Sequence, residues 1–212
     1  MKIKSVSISN FRGYKNETNI DFNDLTVFVG RNDVGKSTVL EALDLFFNDG
    51  KGIIKFDKED INISSDKTDF QIGVSFVELP EHVVVDDSFE TTLADEYLLN
   101  EHGILEVIKK FNGSKCTNTS IIASHPTNPN CAGLLLKKRD ELKTIIRDQS
   151  IECENESVNS LMRRAIWNRY RDDLQLKTVD IDVTKGDDTK NKEIYLRFEK
   201  ELERVEKAHG IR

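Results

Sequence analysis

Apolar residues near the start of the chain recur at steps of two. Over residues 2–9, Ile3, Val6 and Ile8 share one side of a strand once a single-residue slip is allowed. Two further short strands are expected within 18–29, either side of Asn23-Asp24. In the second of them Leu25, Val27 and Val29 alternate with Thr26 and Phe28. From Ser37 the period lengthens to three and four. Val39, Leu40, Leu43, Phe46 and Phe47 then fall on one helical face. Residues 48–69 are polar and read as a surface excursion, and FQIGVSFVEL at 70–79 reads as a strand closed by Pro80.

The second half mixes both rhythms. A helical piece is expected near 89–100. ILEVIKKF and TNTSIIAS read as strands joined by the hairpin signal Asn112-Gly113. Helical spacing returns over 132–174 in two segments broken near Ser150. LKTVDIDVT alternates again, with Val179, Ile181 and Val183 on one face and Asp180 and Asp182 on the other. Ile194, Phe198, Leu202, Val205 and Ala208 form a last helical stripe, supported by the pair Glu203–Lys207 and capped at Gly210. The expected class is α/β with a mixed, partly antiparallel sheet over 1–130, then a mainly helical segment with one strand over 131–212.

Composition narrows this picture. The 212 residues are 37% hydrophobic and 33% charged, which suits one large or two small soluble domains. The N-terminus lacks a signal-peptide core, and no run of about 18 apolar residues occurs, so no membrane role and a cytoplasmic location are expected. The three cysteines, Cys116, Cys131 and Cys153, are widely spaced and read as reduced thiols rather than a zinc site. A net charge of −7 argues against a general polyanion binder but allows a local basic groove.

The chemistry lies in GRNDVGKST, residues 30–38. Gly30, Gly35, Lys36 and Ser37 satisfy G-x-x-x-x-G-K-[ST], between an expected strand and an expected helix. Backbone N–H groups of such a loop, Asn32, Asp33 and Val34 included, converge on phosphate, and the helix N-terminus adds partial positive charge. Lys36 is expected to reach the β- and γ-phosphates of ATP, and the Ser37 hydroxyl to hold magnesium. A glycine turn before an ordinary helix would not need this context on both sides.

The opening from Ser5 to Phe47 resembles ATPases of the chromosome-maintenance and RecF class, and more closely the OLD (overcoming lysogenization defect) family of ATP-dependent endonucleases. Asn-Phe-Arg-Gly at Asn10–Gly13, the loop itself and Leu-x-Ala-Leu on the helix carry the likeness. The wider class usually has glycine where Asp33 stands, a change the OLD group tolerates. The resemblance implies a P-loop head of the ABC/SMC-like kind that forms a homo-oligomer around ATP. It also implies a separate Toprim nuclease acting on DNA, in phage defence or DNA processing, with a further defence-system partner protein or nucleic acid as a possibility. By the same carry-over Arg12 would lie near the nucleotide and Thr38 would contact the α-phosphate. A clamp ATPase of the RecF type without nuclease activity is the alternative.

The signature motif and Walker-B strand of that class are not evident after Ser37, so the chain is expected to be the N-terminal part of a longer protein. HVVVDD, where Val83, Val84 and Val85 precede Asp86 and Asp87, imitates a Walker-B strand but suits a surface hairpin better. No residue is assigned a catalytic role. In NSLMRRAIWNRYRDDL, Arg163, Arg164, Trp167, Tyr170 and Arg171 share one helical arc opposite Val158, Leu161, Met162 and Ala165. That arc could grip nucleic acid, form a subunit contact, or be a solvated face with Trp167 tucked inward. His125, before Pro126, reads as a turn residue.

Overall fold

A computed structural model describes residues 1–31, 35–49, 51–85, 89–113 and 115–183. The elements are β1 (Lys2–Ser9), β2 (Thr18–Asp21), α1 (Lys36–Asn48), β3 (Asp69–Val77), β4 (Leu105–Asn112), β5 (Lys115–Pro126), α2 (Arg139–Asp148), α3 (Asn159–Arg169) and β6 (Leu176–Asp182). Two compact units divide them: Met1–Leu79 with Glu106–Ser120, and Pro80–Leu105 with Ile121 onward. Among the described residues no helix is long and apolar enough to cross a membrane.

In the first unit the hydrogen-bonded strand order is β2-β1-β3-β4-β5. Strand β1 is antiparallel to both neighbours, with Val6 opposite Ile20 on one side and Val74 on the other. The expected slip is real: register shifts between Ile3 and Ser5. Gly73 faces Ser7, and a Cβ there would stand 2.3 Å from the Ser7 hydroxyl oxygen, so a larger residue would require Ser7 to turn aside. Val6, Ile8, Ile72 and Phe76 are fully or almost fully buried. Phe70 joins Phe11 at 4.8 Å and stacks on Phe111 at 5.0 Å, a cluster that extends the core toward the β4 end.

Helix α1 lies on β1 and β3. Its buried stripe is Thr38, Val39, Ala42, Leu45 and Phe46, turned slightly from the expected one. Leu40 is 59% exposed as a result. The C-terminus of α1 is fixed by Asp49, which takes a left-handed φ of 50° and returns its N–H to the Leu45 carbonyl. The buried Lys109 ammonium on β4 donates to the Asp49 carboxylate at 2.7 Å and sits 5.3 Å from the Phe46 ring centre.

The strand expected at 25–29 does not form. Leu25, Val27 and Val29 are 82%, 69% and 88% exposed, and no ladder partner for them exists among the described residues. Alternating apolar residues fit a pleated surface, but a strand also needs a neighbour to take its N–H and C=O groups. β2 is the other expected strand of that pair, and it does form.

The second unit contains the far half of β5, which neighbours β6, together with α2 and α3, which pack on each other. The expected hairpin strands and the two helices are present, and Ser150, at φ 49°, lies between the helices. Ile181 and Val183 are buried and Val179 half-buried, as the alternation predicts. The helix expected at 89–100 is instead a single turn, with Glu96 N–H reaching the Thr92 carbonyl at 3.2 Å and Leu98 that of Leu93 at 2.9 Å. Tyr97 adopts φ 53° and so stops propagation, and one turn does not repay helix nucleation alone. The last helical stripe, from Ile194 to Gly210, lies outside the described residues.

The turn survives because of what it holds. Glu96 and Arg163 have side chains 1% and 0% exposed and pair through two bonds of 2.7 and 2.8 Å. Around them, Trp167 donates its indole N–H to the Cys131 carbonyl at 3.0 Å and meets Tyr97 edge to face at 5.0 Å. His125 lies at the end of β5, buried, with Nδ1 3.0 Å from the Tyr97 carbonyl and its ring 5.9 Å from Trp167. It is therefore a core strand residue, not the turn residue its place before Pro126 suggests.

Glu96→Ala leaves a buried guanidinium without its carboxylate and is expected to cost about 3–5 kcal/mol in denaturant unfolding, against less than about 1 for a surface carboxylate. His125 supplies a pH test. Burial chiefly pushes its pKa below the ordinary 6.5, and the Arg163 charge acts the same way, against the bond to Tyr97. The unfolded chain then binds the proton more readily, so stability is full above about pH 6.5 and falls as pH drops toward the folded value. Thermal unfolding should show this decline in the wild type and less of it in His125→Phe.

Candidate functional site

The start of α1 has the chemistry of an anion site. Gly35 caps it at φ 83° and ψ 13°, a conformation glycine adopts without strain. The N-cap, Gly35, makes no side-chain bond to the first helical N–H groups, and the first turn carries no acidic residue. Those donors and the helix dipole favour an anion at this end of α1. Lys36 folds its ammonium back to the Gly30 carbonyl at 2.7 Å and to the Arg31 carbonyl. Lys36 therefore lies against the first glycine of the motif. Ser37 is exposed and Thr38 buried. Asn32, Asp33 and Val34, the remaining expected loop residues, lie outside the described residues.

These residues fit ATP with magnesium. Bound there, ATP would supply a transferable phosphoryl group, and magnesium would neutralise its oxygens. On the protein side, Lys36 would exchange two carbonyl oxygens for phosphate oxygens, Ser37 would offer its hydroxyl to the metal, and the N–H groups from Gly35 to Thr38 would bind phosphate. The exchange favours phosphate because the lysine then faces full negative charge instead of neutral dipoles.

Arg12 sits in a tight turn beside α1. Phe11 and Tyr14 exchange backbone bonds of 3.0 and 2.9 Å, and Asn10 and Arg12 take left-handed φ values of 58° and 47°. The Arg12 guanidinium pairs with Glu41 on α1 and donates from Nε to Asp60 at 2.7 Å. Its backbone N–H reaches the Asp60 carbonyl at 2.6 Å, and the Asn62 side chain donates to the Arg12 carbonyl at 2.5 Å. This site thus includes Glu41, Asp60 and Asn62, which sequence reasoning missed. Glu41 was readable only as a polar position of the helix. Nothing in the polar excursion distinguishes Asp60 from its acidic neighbours.

The other candidates separate. Arg163 and Trp167 are buried in the core of the second unit, so neither of these two is free to grip nucleic acid or a second subunit. Arg164 and Arg171 remain exposed on that stretch. The missing information was Glu96, distant in sequence, which draws Arg163 inward. Val83 forms an isolated bridge with Thr91, while Asp86 and Asp87 lie outside the described residues. Burial raises the thiol pKa of Cys116 and Cys131, the Asp49 charge adding to it at Cys116, which makes both poor nucleophiles. Among the described residues no group of three or more His, Cys, Asp or Glu is placed to hold a metal.

The family model for the AAA ATPase domain matches residues 1–208. DNA replication and repair protein RecF of Streptococcus pneumoniae is 40% identical over 72 residues in strains CGSP14, 70585 and P1031. That alignment covers 30% of this chain and 20% of each relative, so the chain spans about a fifth of the length of these curated relatives.

Lys36→Ala removes the flexible cation of the loop. A charged hydrogen bond contributes roughly 1.5–3 kcal/mol, and the lysine offers more than one to a polyphosphate. Calorimetric titration should show ATP affinity lowered at least about 100-fold; unchanged affinity would remove Lys36 from the site.

Proposed function

This chain belongs to the AAA ATPase domain family, and on that premise we propose that it is the ATP-binding head of a DNA-acting protein whose further chemistry lies outside these 212 residues. The supporting observation is the start of α1: an N-cap that makes no side-chain bond, a left-handed Gly35 and a lysine bound to the Gly30 and Arg31 carbonyls. Magnesium at Ser37 completes the nucleotide site. Nucleotide occupancy then acts by favouring one arrangement of heads over another, in a homo-oligomer. The cytoplasm is the expected compartment. Phosphoryl transfer needs a positioned water and charge opposite the loop. The chain alone is thus expected to hydrolyse ATP slowly, with partner residues raising the rate.

In the finer reading the full-length protein is an OLD-type ATP-dependent DNA endonuclease, serving phage defence or DNA processing. The Asn10–Gly13 step, the Asp33 variant of the loop and Leu-x-Ala-Leu on α1 support it. The second reading is a RecF-type repair or clamp ATPase without nuclease activity, which the 40% identity to RecF favours. Two-metal cleavage requires carboxylates holding ions about 4 Å apart. The nuclease reading therefore assigns cutting to residues elsewhere in the full-length protein.

Plasmid DNA distinguishes the two. Incubated with magnesium or manganese, the full-length protein should nick or cut it, with Lys36→Ala changing the rate or its response to ATP. This chain alone should leave the plasmid intact. A full-length protein that binds DNA but cuts it under no nucleotide condition supports the RecF-type reading instead.

A further inference from the structure

We propose that Tyr14 is a positioning residue for the phosphate loop, setting the orientation of Gly35 from the locked Asn10–Tyr14 turn. The proposal rests on the ATP-binding reading and adds a residue outside the motif. Two contacts place Tyr14 against Gly35. Its hydroxyl donates to the Gly35 carbonyl at 3.2 Å, at the cap of α1. Its ring lies along the open side of the same residue: a Cβ built on Gly35 would stand 3.2 Å from both the ring Cε2 and the hydroxyl oxygen. Glycine at this position thus answers two demands, the φ of 83° and the room the tyrosine takes.

A positioning residue must itself be fixed, and Tyr14 is. Its backbone is bound both ways to Phe11, which is fully buried and packs on Phe70 at 4.8 Å. Asn10, two residues before the rigid Arg12, donates its side-chain amide to the Asp69 carbonyl at 2.7 Å and accepts the Asn62 N–H at 3.2 Å. Arg12 is tied to Asp60, Asn62 and Glu41. Two left-handed non-glycine residues in three persist only where the surroundings over-determine them, and here five backbone or side-chain bonds do so. The turn therefore transmits the rigidity of β1 and β3 through Tyr14 to the second glycine of the loop.

The consequence is chemical. The peptide after Gly35 carries the Lys36 N–H, and its direction decides whether the loop's donors converge on one phosphate or diverge. Tyr14 is not expected to touch the phosphates. Its removal should weaken ligands that fill the loop, ATP and ADP, and leave AMP binding nearly unchanged.

The test uses the full-length protein and its Tyr14→Phe, Tyr14→Leu and Tyr14→Ala variants, with ATP, ADP and AMP titrated by calorimetry and thermal midpoints recorded. Losing one neutral hydrogen bond should weaken ATP and ADP about three- to tenfold in Tyr14→Phe. Tyr14→Leu and Tyr14→Ala should lose more, so that phenylalanine partly rescues, while the midpoint of Tyr14→Phe stays at the wild-type value. If Tyr14→Ala does not fold, Tyr14→Phe and Tyr14→Leu carry the comparison. Wild-type ATP affinity in Tyr14→Leu overturns the positioning role, as does a loss equal for AMP that follows the thermal midpoint. A wild-type protein that binds no ATP fails differently: it removes the nucleotide reading on which the proposal stands.

Discussion

Helix α1 is secured at both ends, and the phosphate loop depends on that. At its C-terminus the buried Lys109 ammonium pulls Asp49 onto β4, where the Phe46 ring shares the charge. At its N-terminus Arg12 pairs with Glu41, and Tyr14 holds the Gly35 carbonyl. Between these ties Val39, Ala42, Leu45 and Phe46 bury an apolar stripe on β1 and β3. A helix that could roll or slide would scatter the N–H groups that bind phosphate. Burying four apolar side chains sets its depth, and the polar ties set its rotation and axial position. The division is physical: apolar burial is non-directional, whereas ion pairs and hydrogen bonds are directional.

The same use of charge appears in the second unit with no ligand in view. Glu96 and Arg163 form a two-point pair inside a shell of Tyr97, His125 and Trp167. Such a pair is weak evidence of net stability, because desolvation offsets its attraction, but a unit holding it tolerates few alternative packings. It explains why a single irregular turn at 92–98 is retained where the apolar spacing favours a longer helix.

Legibility followed sequence distance. The rhythm of Ile3, Val6 and Ile8 foretold β1 and even its slip, because both are local properties. Asn112-Gly113 foretold the turn between β4 and β5 for the same reason, and Gly113 does take φ 64°. The α/β class with antiparallel strands around an ATPase loop follows from those local signals and agrees with the AAA ATPase domain match. What failed needed a partner far along the chain. Leu25, Val27 and Val29 have the residues of a strand without a neighbour to make them one. Arg163 and Trp167 looked like an accessible basic and aromatic face until Glu96, 67 residues away, was placed beside them. At the candidate site the motif marked Gly35, Lys36, Ser37 and Thr38, whereas the supports Tyr14, Glu41, Asp60 and Asn62 belong to no spacing rule.

The central claim is that nucleotide binds at the start of α1 and is felt by the turn that supports it. Amide hydrogen exchange with and without magnesium and ATP measures both parts at once. The account predicts slowed exchange at Gly35–Thr38 together with Asn10–Tyr14 and Asp60–Asn62, and unchanged exchange in α2 and α3. Protection confined to other segments, or none at the start of α1 under saturating nucleotide, would contradict it.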